Sequence, residues 1–337
     1  MATIREVAAK AGVSVATVSY VLNDSRKVRP ETEQRVLWAA KELGYAPNAA
    51  ARSLVIGRSS IVGLVVPDIG NPFFPEITKA FQEAAGMAGM ETIVMNTNYG
   101  EQRTRNTVDR LVGLQVPGVA FLTSQVGPVV REALAARGIT AVYLDHGVAG
   151  THISNIAIDY LHGIQAAVEH LLELGHQRIG FIGGPPDGAS AQRRKQAFVD
   201  ASAAASGVEV KVIESDFSVQ GGYFSCAKLL NVFAATAILA ANDLMAIGAM
   251  HCAYDRQIPV PSQLSVIGFD DITFAQFTQP ALTTVAVPRT DIGRLAFQAL
   301  NALITDSGEA GREYEVKTSL IVRQTTAPPP LLVNVVR

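Results

Sequence analysis

Residues 2–23, ATIREVAAKAGVSVATVSYVLN, decide the fold of the amino-terminal part of the chain. Thr3 and Glu6 have the spacing of a capping box, in which each side chain accepts a hydrogen bond from the backbone N–H of the other residue, so a helix is predicted to begin here. Gly12 suits the left-handed conformation that ends such a helix, and Ser14 can cap a second helix after the turn. The spacing therefore predicts two short helices joined by a tight turn.

A third predicted helix completes this region, because Pro30 favours a first helical turn and Gly44 favours a helix end. Three helices of this kind form a helix-turn-helix domain, whose second helix fits the major groove of DNA. The alternative is a small three-helix module without a ligand. The outer face of the second helix favours DNA, because its short polar and small apolar side chains suit phosphates, base edges and thymine methyl groups. These side chains belong to Val15, Ala16, Thr17, Ser19, Tyr20 and Asn23.

The charge distribution also separates this region from the rest of the chain. Residues 1–58 contain nine Lys and Arg against five Asp and Glu, and the other residues contain 19 against 25. A basic region on an acidic body favours a polyanionic partner for that region alone.

The composition of the 337 residues, 48% hydrophobic and 17% charged, indicates a globular protein of two or three domains. The longest uncharged apolar runs, at residues 61–67 and 233–241, are far shorter than the roughly 20 residues of a membrane helix. The first residues do not resemble a secretory signal, and two cysteines are too few for a disulfide framework or a zinc cluster. We therefore expect a cytoplasmic protein without a membrane partner, a metal ion or another cofactor.

After residue 60 the pattern changes to short apolar runs that alternate with helical stretches, which is typical of buried parallel sheets. About 270 residues are too many for one doubly wound sheet of this rhythm, so two similar halves are predicted, with ligands bound at the carboxyl ends of the strands. Strands are predicted at residues 61–66, 92–96, 119–123, 141–145, 178–183, 210–214, 237–240, 265–269 and 283–287.

Polar residues follow several of these predicted strands, at the edge where a ligand cleft is expected. Asp145, Asn242 and Asp270 stand at strand ends, and Arg193 and Arg194 open a helix after a glycine-rich loop. Each has a structural alternative, because Asp and Asn at strand ends often cap the next helix. Their convergence on one edge favours a ligand cleft.

The chain resembles the LacI/GalR family of bacterial transcriptional regulators. The amino-terminal resemblance rests on ATIREVA (2–8), AGVS (11–14), TVS (17–19), VLN (21–23) and ELGYAPN (42–48). The remainder resembles the regulatory domain of that family, which is related in fold to periplasmic sugar-binding proteins. The matching stretches are NPFF (71–74), LGH (174–176), ANDLMAIG (241–248), SVIGFDD (265–271) and PALTT (280–284).

The resemblance implies a small all-α helix-turn-helix DNA-binding domain and an α/β periplasmic-binding-protein-like core of two doubly wound parallel-sheet halves. The expected divisions are the DNA-binding domain (1–46), a hinge helix or linker (47–58), the effector-binding and dimerisation core (59–327) and a tail (328–337). Within the core, the first half covers about 60–158 and 288–317, and the second covers about 159–287 and 318–327. We expect a homodimer on palindromic double-stranded operator DNA, because one recognition helix offers too few base contacts.

The predicted DNA-binding residues follow from the resemblance. Val15, Ala16 and Tyr20 occupy the positions that read bases in the family; many members have Arg or His in place of Tyr20, a departure that concerns the operator sequence. Residues 48–55 resemble a hinge helix that forms on DNA and wedges Leu54 into the minor groove, the alternative being a helical spacer. The full predicted set is Thr3, Ser14, Val15, Ala16, Thr17, Ser19, Tyr20, Asn23, Asn48, Arg52 and Leu54.

The predicted effector-binding residues are carried over in the same way. Arg194 matches the effector arginine of the family, although Ala197 replaces the usual Gly of that motif, and Phe217 is expected to stack on the effector. The full predicted set is Asn71, Phe73, Phe74, Asp145, Ser190, Arg194, Phe217, Asn242 and Asp270. An aromatic wall beside charged groups suits a sugar or polyol. A purine is the alternative, and a pair of hydroxyl groups donating to Asp270 favours the sugar.

The expected function is a DNA-binding transcriptional regulator, and more specifically a repressor, whose operator affinity is controlled by a small molecule. The alternatives are an enzyme and a protein that only binds sugar. The sequence lacks a dinucleotide fingerprint, a P-loop, a nucleophile elbow and an HExxH zinc motif. Its six histidines have no metal-ligand spacing, and His162, His170 and His176 are expected on helix surfaces. The basic amino-terminal region argues against a protein that only binds sugar.

Overall fold

A computed structural model of the chain describes residues 2–23, 28–45, 59–123, 126–147, 149–203, 207–306 and 310–330. The chain divides into two compact units, Met1–Ser60 and Ile61–Arg337. The predicted hinge, with Asn48, Arg52 and Leu54, lies outside the described residues. Its helical form and its wedge therefore stay predictions.

The amino-terminal unit has three helices in its described part: α1 (Ile4–Ala11), α2 (Val15–Asn23) and α3 (Pro30–Glu42). α1 begins at the predicted capping box, where Glu6 N donates to Thr3 Oγ1 at 3.4 Å and Thr3 N donates to Glu6 Oε2 at 2.7 Å. It ends at Gly12, whose φ of 64° is left-handed. One small core holds the three helices together, formed by Val7, Ala8, Ala11, Val18, Val21, Val36, Ala39 and Ala40.

The first half of the second unit is a parallel sheet with helices on both faces. In the described part its strand order is β11-β5-β4-β3-β1-β2. The strands are β1 (Ile61–Val66), β2 (Glu91–Asn96), β3 (Gly118–Phe121), β4 (Thr140–Leu144), β5 (Ile153–Asp159) and β11 (Glu313–Lys317). The helices are α4 (Phe73–Met87), α5 (Glu101–Gly113), α6 (Pro128–Ala135) and α11 (Arg289–Thr305).

The second half repeats this order as β12-β10-β9-β8-β6-β7, except that its edge strand β12 is antiparallel to β10. The strands are β6 (Arg178–Ile182), β7 (Glu209–Ile213), β8 (Ala237–Ala240), β9 (Ser265–Asp270), β10 (Thr283–Ala286) and β12 (Ser319–Ile321). The helices are α7 (Tyr160–Glu173), α8 (Ala189–Ala203), α9 (Val219–Phe233) and α10 (Asp243–Asp255), with a 3-10 helix at Thr273–Phe277. The chain crosses between the halves after β5, after β10 and after β11. The predicted core of two doubly wound halves is confirmed.

Three strands are absent from the sequence-based prediction, each for a physical reason. β5 contains the polar residues Ser154 and Asn155, which are buried because Asn155 Oδ1 accepts hydrogen bonds from the backbone of His146 and Gly147 at 3.0 and 3.2 Å. β11 reads EYEVK and lies mostly exposed at a sheet edge, and β12 has only three residues. None of the three is an apolar run.

The expectation that His176 lies on a helix surface is wrong. Gly175, with φ 92°, ends the turn after α7 and directs His176 inward, where it is buried. His176 Nε2 donates to Ala327 O at 2.9 Å, and Nδ1 is 3.0 Å from Thr236 Oγ1. The residue therefore ties the carboxy-terminal segment to the second half.

The described helices include none that combines the length and the hydropathy needed to cross a membrane.

Candidate functional site

A cavity of about 230 Å³, which we call the inter-sheet cavity, lies where the carboxyl ends of strands from both sheets meet. It is the place where ligands bind in open α/β sheets. The structure brings all nine predicted effector-binding residues to its wall: Asn71, Phe73, Phe74, Asp145, Ser190, Arg194, Phe217, Asn242 and Asp270. Their contact with a ligand stays a prediction.

Arg194 is the buried positive charge of this cavity. Its Nη2 is 3.3 Å from Asp270 Oδ1, and its Nη1 donates to the carbonyl oxygen of Ala241. Burial alone would lower the pKa of Arg194, but the neighbouring carboxylates of Asp270 and Asp145 contribute to raising it overall, so the guanidinium stays charged. Its Nε is buried without a hydrogen-bond partner among the described residues. A ligand oxygen would satisfy that donor.

Asp270 has a buried carboxyl group whose pKa is shifted. Burial raises its pKa to about 6, against the opposing charges of Arg194 and Arg289. The carboxylate therefore predominates at pH 7 and above, and its charge is lost as the pH falls through 6. Its backbone oxygen accepts from Arg289 Nη1, and Arg289 is also bonded to Glu76 of α4 at 2.9 Å. Asp270 is thus connected to the first half of the core.

Asp145 is held on the opposite side of the cavity by the first sheet and α7. Its Oδ1 accepts from Ile158 N at 2.9 Å and is 3.4 Å from Arg193 Nη1, and its Oδ2 accepts from the hydroxyl of Tyr160. Burial raises the pKa of Asp145, while these partners oppose the shift. Burial and the charge of Asp145 raise the pKa of Tyr160 well above its usual value, so Tyr160 remains a donor.

The two asparagines of the cavity also shape the backbone around it. Asn242 Oδ1 caps α10 by accepting from Met245 N at 2.9 Å, and its Nδ2 donates to Phe217 O at 2.9 Å. The structural alternative for Asn242 is therefore correct, although the residue also lines the cavity. Asn71 Oδ1 accepts from Phe73 N at 3.0 Å, which leaves the side-chain amide N–H groups of Asn71 for a ligand.

Four wall residues have a backbone conformation that side chains rarely adopt. The φ angles of Tyr99, Asp145, Phe217 and Asp270 are 56°, 60°, 65° and 106°. Such conformations cost free energy in ordinary residues and concentrate at functional sites. The turn after each strand end here aims a side chain into the cavity at the expense of an unfavourable φ.

Sequence reasoning missed five cavity residues that carry hydrogen-bonding groups: Tyr99, Thr123, Tyr160, Asp187 and Asp216. Tyr160 directly follows β5, so recognition of that strand would have placed it at a strand end. Burial raises the pKa of Tyr99 to about 12, and the residue lies in the loop after β2. With the two additional aspartates, the wall carries four carboxyl groups and one guanidinium.

The structure describes the side chains of seven predicted DNA-contacting residues, and all seven are at least partly exposed on the amino-terminal unit. Val15 is 42% exposed and Tyr20 is 55% exposed, although both are large and apolar, and Ala16 is exposed beside them. Thr17 and Ser19 are half-buried on the same helix. Thr3 and Ser14 are engaged as caps, with Ser14 Oγ accepting from Thr17 N at 3.1 Å, and Asn23 ends α2.

Among the residues that the structure describes, no three His, Cys, Asp or Glu side chains are grouped so that they could hold a metal ion.

Comparison with known proteins gives the same two parts. A family model described as "Bacterial regulatory proteins, lacI family" matches residues 3–48, and one described as "Periplasmic binding protein-like domain" matches residues 168–326. The chain is 36% identical over 327 residues to the ribose operon repressor of Halalkalibacterium halodurans, covering 97% of both chains.

Two solved structures are similar over most of their length. The lac repressor dimer bound to operator and the anti-inducer ONPF has a TM-score of 0.85 and 28% identity, over 97% of this chain and 99% of that one. A LacI family transcriptional regulator from Enterococcus faecium with bound ribose has a TM-score of 0.71 and 28% identity, over 80% of this chain and 100% of that one. The resemblance drawn from the sequence is thereby confirmed, and the chain belongs to the LacI family of bacterial regulatory proteins.

Proposed function

We propose that the chain is a transcriptional repressor that binds operator DNA through α2 and changes its operator affinity when a neutral sugar or polyol occupies the inter-sheet cavity. The observation that carries the proposal is that side chains from both halves line this one cavity. A ligand there contacts both halves at once and can favour one arrangement of them over another. An effector shifts such an equilibrium only through its different affinity for the two arrangements.

The chemistry of the wall supports a neutral, hydroxyl-rich effector. Four carboxyl groups against one guanidinium disfavour an anionic ligand such as a sugar phosphate. Asp270 offers an acceptor, whereas Arg194 Nε and the Asn71 amide offer donors, and a hydroxyl group can both donate and accept. Phe73, Phe74 and Phe217 supply aromatic surface for the apolar face of a sugar ring.

The size of the cavity supports one sugar ring. Its volume of about 230 Å³ lies below the roughly 300–1,000 Å³ that is usual for pockets of drug-sized ligands. The similar regulator from Enterococcus faecium was solved with bound ribose, and a relative is named a ribose operon repressor. We therefore propose a monosaccharide of the size of ribose as the first candidate, with a purine as the competing ligand.

Dimeric binding to a palindromic operator is part of the proposal. Large apolar side chains lie exposed on the second half, with Phe224 65%, Tyr254 80% and Phe277 71% accessible. Exposed groups of this kind favour a protein interface where they form one contiguous patch. A dimer presents two copies of α2 to two half-sites about one helical turn apart.

We also propose that the chain is located in the cytoplasm, where operator DNA is found. There it acts by binding alone, without catalysis. Four titratable side chains of the cavity wall are engaged in two pairs, Arg194 with Asp270 and Tyr160 with Asp145. A ligand recovered unchanged after prolonged incubation, as judged by NMR, would support this; a converted ligand would contradict it.

Selection of bound duplexes from random DNA would identify the operator, and titration calorimetry with ribose, glucose, ribitol and hypoxanthine would test the effector. We expect an inverted repeat bound by two chains, and binding of one sugar or polyol that changes operator affinity in fluorescence anisotropy. Binding of hypoxanthine alone would replace the sugar by a purine. Failure to select any duplex would contradict the DNA-binding function.

The hinge is tested by Leu54→Ala. A side chain wedged into the minor groove contributes to affinity only where the operator is bent. We therefore expect this variant to lose specific binding and keep non-specific binding. Equal losses on operator and random DNA would contradict the hinge.

A further inference from the structure

The first half of the core contains a second cavity, which we call the outer cavity. It has a volume of about 200 Å³ and lies between α6 and the beginnings of β4 and β5. Apolar side chains form much of its wall, Leu134, Ile139 and Ile153 among them. It shares no lining residue with the inter-sheet cavity, so the function proposed above does not use it.

Tyr143 gives the outer cavity a hydrogen-bond donor without an acceptor. The residue is 1% exposed, and its hydroxyl group has no partner within the described part of the chain. Its ring is stacked on Phe121, with centroids 5.2 Å apart. Burial raises the pKa of Tyr143 to about 12, against the charge of Arg131, so the hydroxyl remains protonated. An unpaired buried hydroxyl is destabilising, and a ligand atom that accepts from it would remove that cost.

Arg131 gives the same cavity a positive charge. Its Nη1 is 2.8 Å from His146 Nε2, and because a guanidinium has donors only, the imidazole nitrogen is the acceptor. The other N–H groups of Arg131 remain for a ligand. No Asp or Glu occurs among the residues that line the outer cavity, in contrast to the four carboxyl groups of the inter-sheet cavity.

We propose that the outer cavity binds a small monocarboxylate with a compact apolar body, such as an aromatic or branched aliphatic acid. The carboxylate accepts hydrogen bonds from Arg131 and Tyr143, and the apolar body packs among Leu134, Ile139 and Ile153. The size agrees with this class, because an apolar cavity of about 150 Å³ is sufficient for benzene. Sugars are disfavoured here, since the apolar wall would leave most of their hydroxyl groups unpaired.

The test is titration calorimetry of the full chain with benzoate at pH 7.5. We expect one saturable site per chain, and at least tenfold weaker binding of benzamide, which has the same ring without the charge. Arg131→Met should weaken benzoate binding at least tenfold. The matched control is Arg137→Met, because Arg137 lies just beyond α6 and its Nη1 donates to Ala133 O at 3.0 Å outside the cavity. That control should bind benzoate like the parent chain.

Tyr143→Phe gives an independent test, because it removes only the hydroxyl group. We expect about tenfold weaker benzoate binding together with an unchanged or higher thermal midpoint without ligand. Undetectable benzoate binding to the parent chain at 10 mM, equal affinities for benzoate and benzamide, or full affinity in both Arg131→Met and Tyr143→Phe would overturn the proposal.

Discussion

The two halves of the core share a strand order but differ in how tightly their outer helices pack. In the second half, α9 and α10 meet backbone to backbone: a Cβ atom at Gly248 would lie 1.9 Å from Val219 O, and one at Gly222 would lie 2.2 Å from Met245 O. In the first half, α6 and its sheet leave the outer cavity of about 200 Å³. The same topology thus supports one closely packed helix pair, α9 and α10, and internal space beside α6. The first half is closely packed elsewhere, because a Cβ atom at Gly293 of α11 would lie 2.3 Å from Ile77 O of α4.

The two halves also supply different side chains to the inter-sheet cavity. The second half supplies Arg194 and Asp270, whose geometry requires a firm scaffold. The first half supplies Phe73 and Phe74, whose rings meet edge to face at 5.1 Å. Ion pairs and hydrogen bonds depend on direction, whereas apolar contact tolerates small shifts. We infer that the Arg194–Asp270 pair of the second half and Asp145 of the first half fix the orientation of the effector, whereas the two phenylalanine rings tolerate small shifts.

The largest expected effect tests the close packing of the second half. Gly248→Ala places a methyl group against the carbonyl oxygen of Val219, which the helix backbone holds in place, so we expect the core to lose about 3 kcal/mol of unfolding free energy. Urea unfolding, monitored by circular dichroism, measures this loss of unfolding free energy. Gly86→Ala in α4 is the control, since nothing lies within 4 Å of its new Cβ atom. Equal stabilities of the two variants would show that the contact between α9 and α10 is no tighter than the open face of α4 around Gly86.

The next effect concerns the directional groups of the second half. Asp270→Asn removes the charge that faces Arg194 and should weaken effector binding about 30-fold while operator binding is kept. Titration calorimetry measures effector binding, and fluorescence anisotropy measures operator binding. Asp271→Asn is the matched control, because Asp271 pairs with Arg323 at 2.6 Å and does not line the cavity. A comparable loss in both variants would assign the effect to the local fold.

A smaller effect is expected where the halves are joined. Glu76 of α4 accepts from Arg289 at 2.9 Å and from Thr273 Oγ1 at 2.5 Å, which connects the first half to the segment after β9. Glu76→Gln should weaken effector binding about fivefold, roughly 1 kcal/mol, because the pair is partly exposed. Glu83→Gln on the same helix, whose weak pair with Lys79 is exposed, should have no effect. If Glu76→Gln also left effector binding unchanged, the halves would respond to the effector without this connection.

The smallest effect is a pH dependence. Because burial raises the pKa of Asp270 to about 6, the carboxyl group gains a proton as the pH falls through that value and ceases to be a double acceptor. Effector affinity should therefore decrease about fourfold between pH 7.5 and pH 5.5. Calorimetry at several pH values measures it. The Asp270→Asn variant should show a flat profile, and a sloping one would assign the titration to another group.

The sequence allowed most of the site to be predicted and less of its geometry. Apolar runs located β4 and β9, and strand ends then placed Asp145 and Asp270 at one edge. The positive φ angles of both residues, and the hydrogen bond from Tyr160 to Asp145, could not be predicted because they depend on contacts between separate elements. β11 escaped prediction for a related reason: its stability comes from pairing with β5 rather than from its own residues.

The strand order has a consequence for synthesis on the ribosome. Two of the four edge strands, β11 and β12, are translated after every other strand of the two described sheets. Until residues 313–321 emerge, β5 and β10 each present an open hydrogen-bonding edge, which is the feature by which nascent chains join one another. The interval between translation of β10 and of β12 is therefore when this protein most needs chaperone protection, and slow codons in that interval should lower its yield.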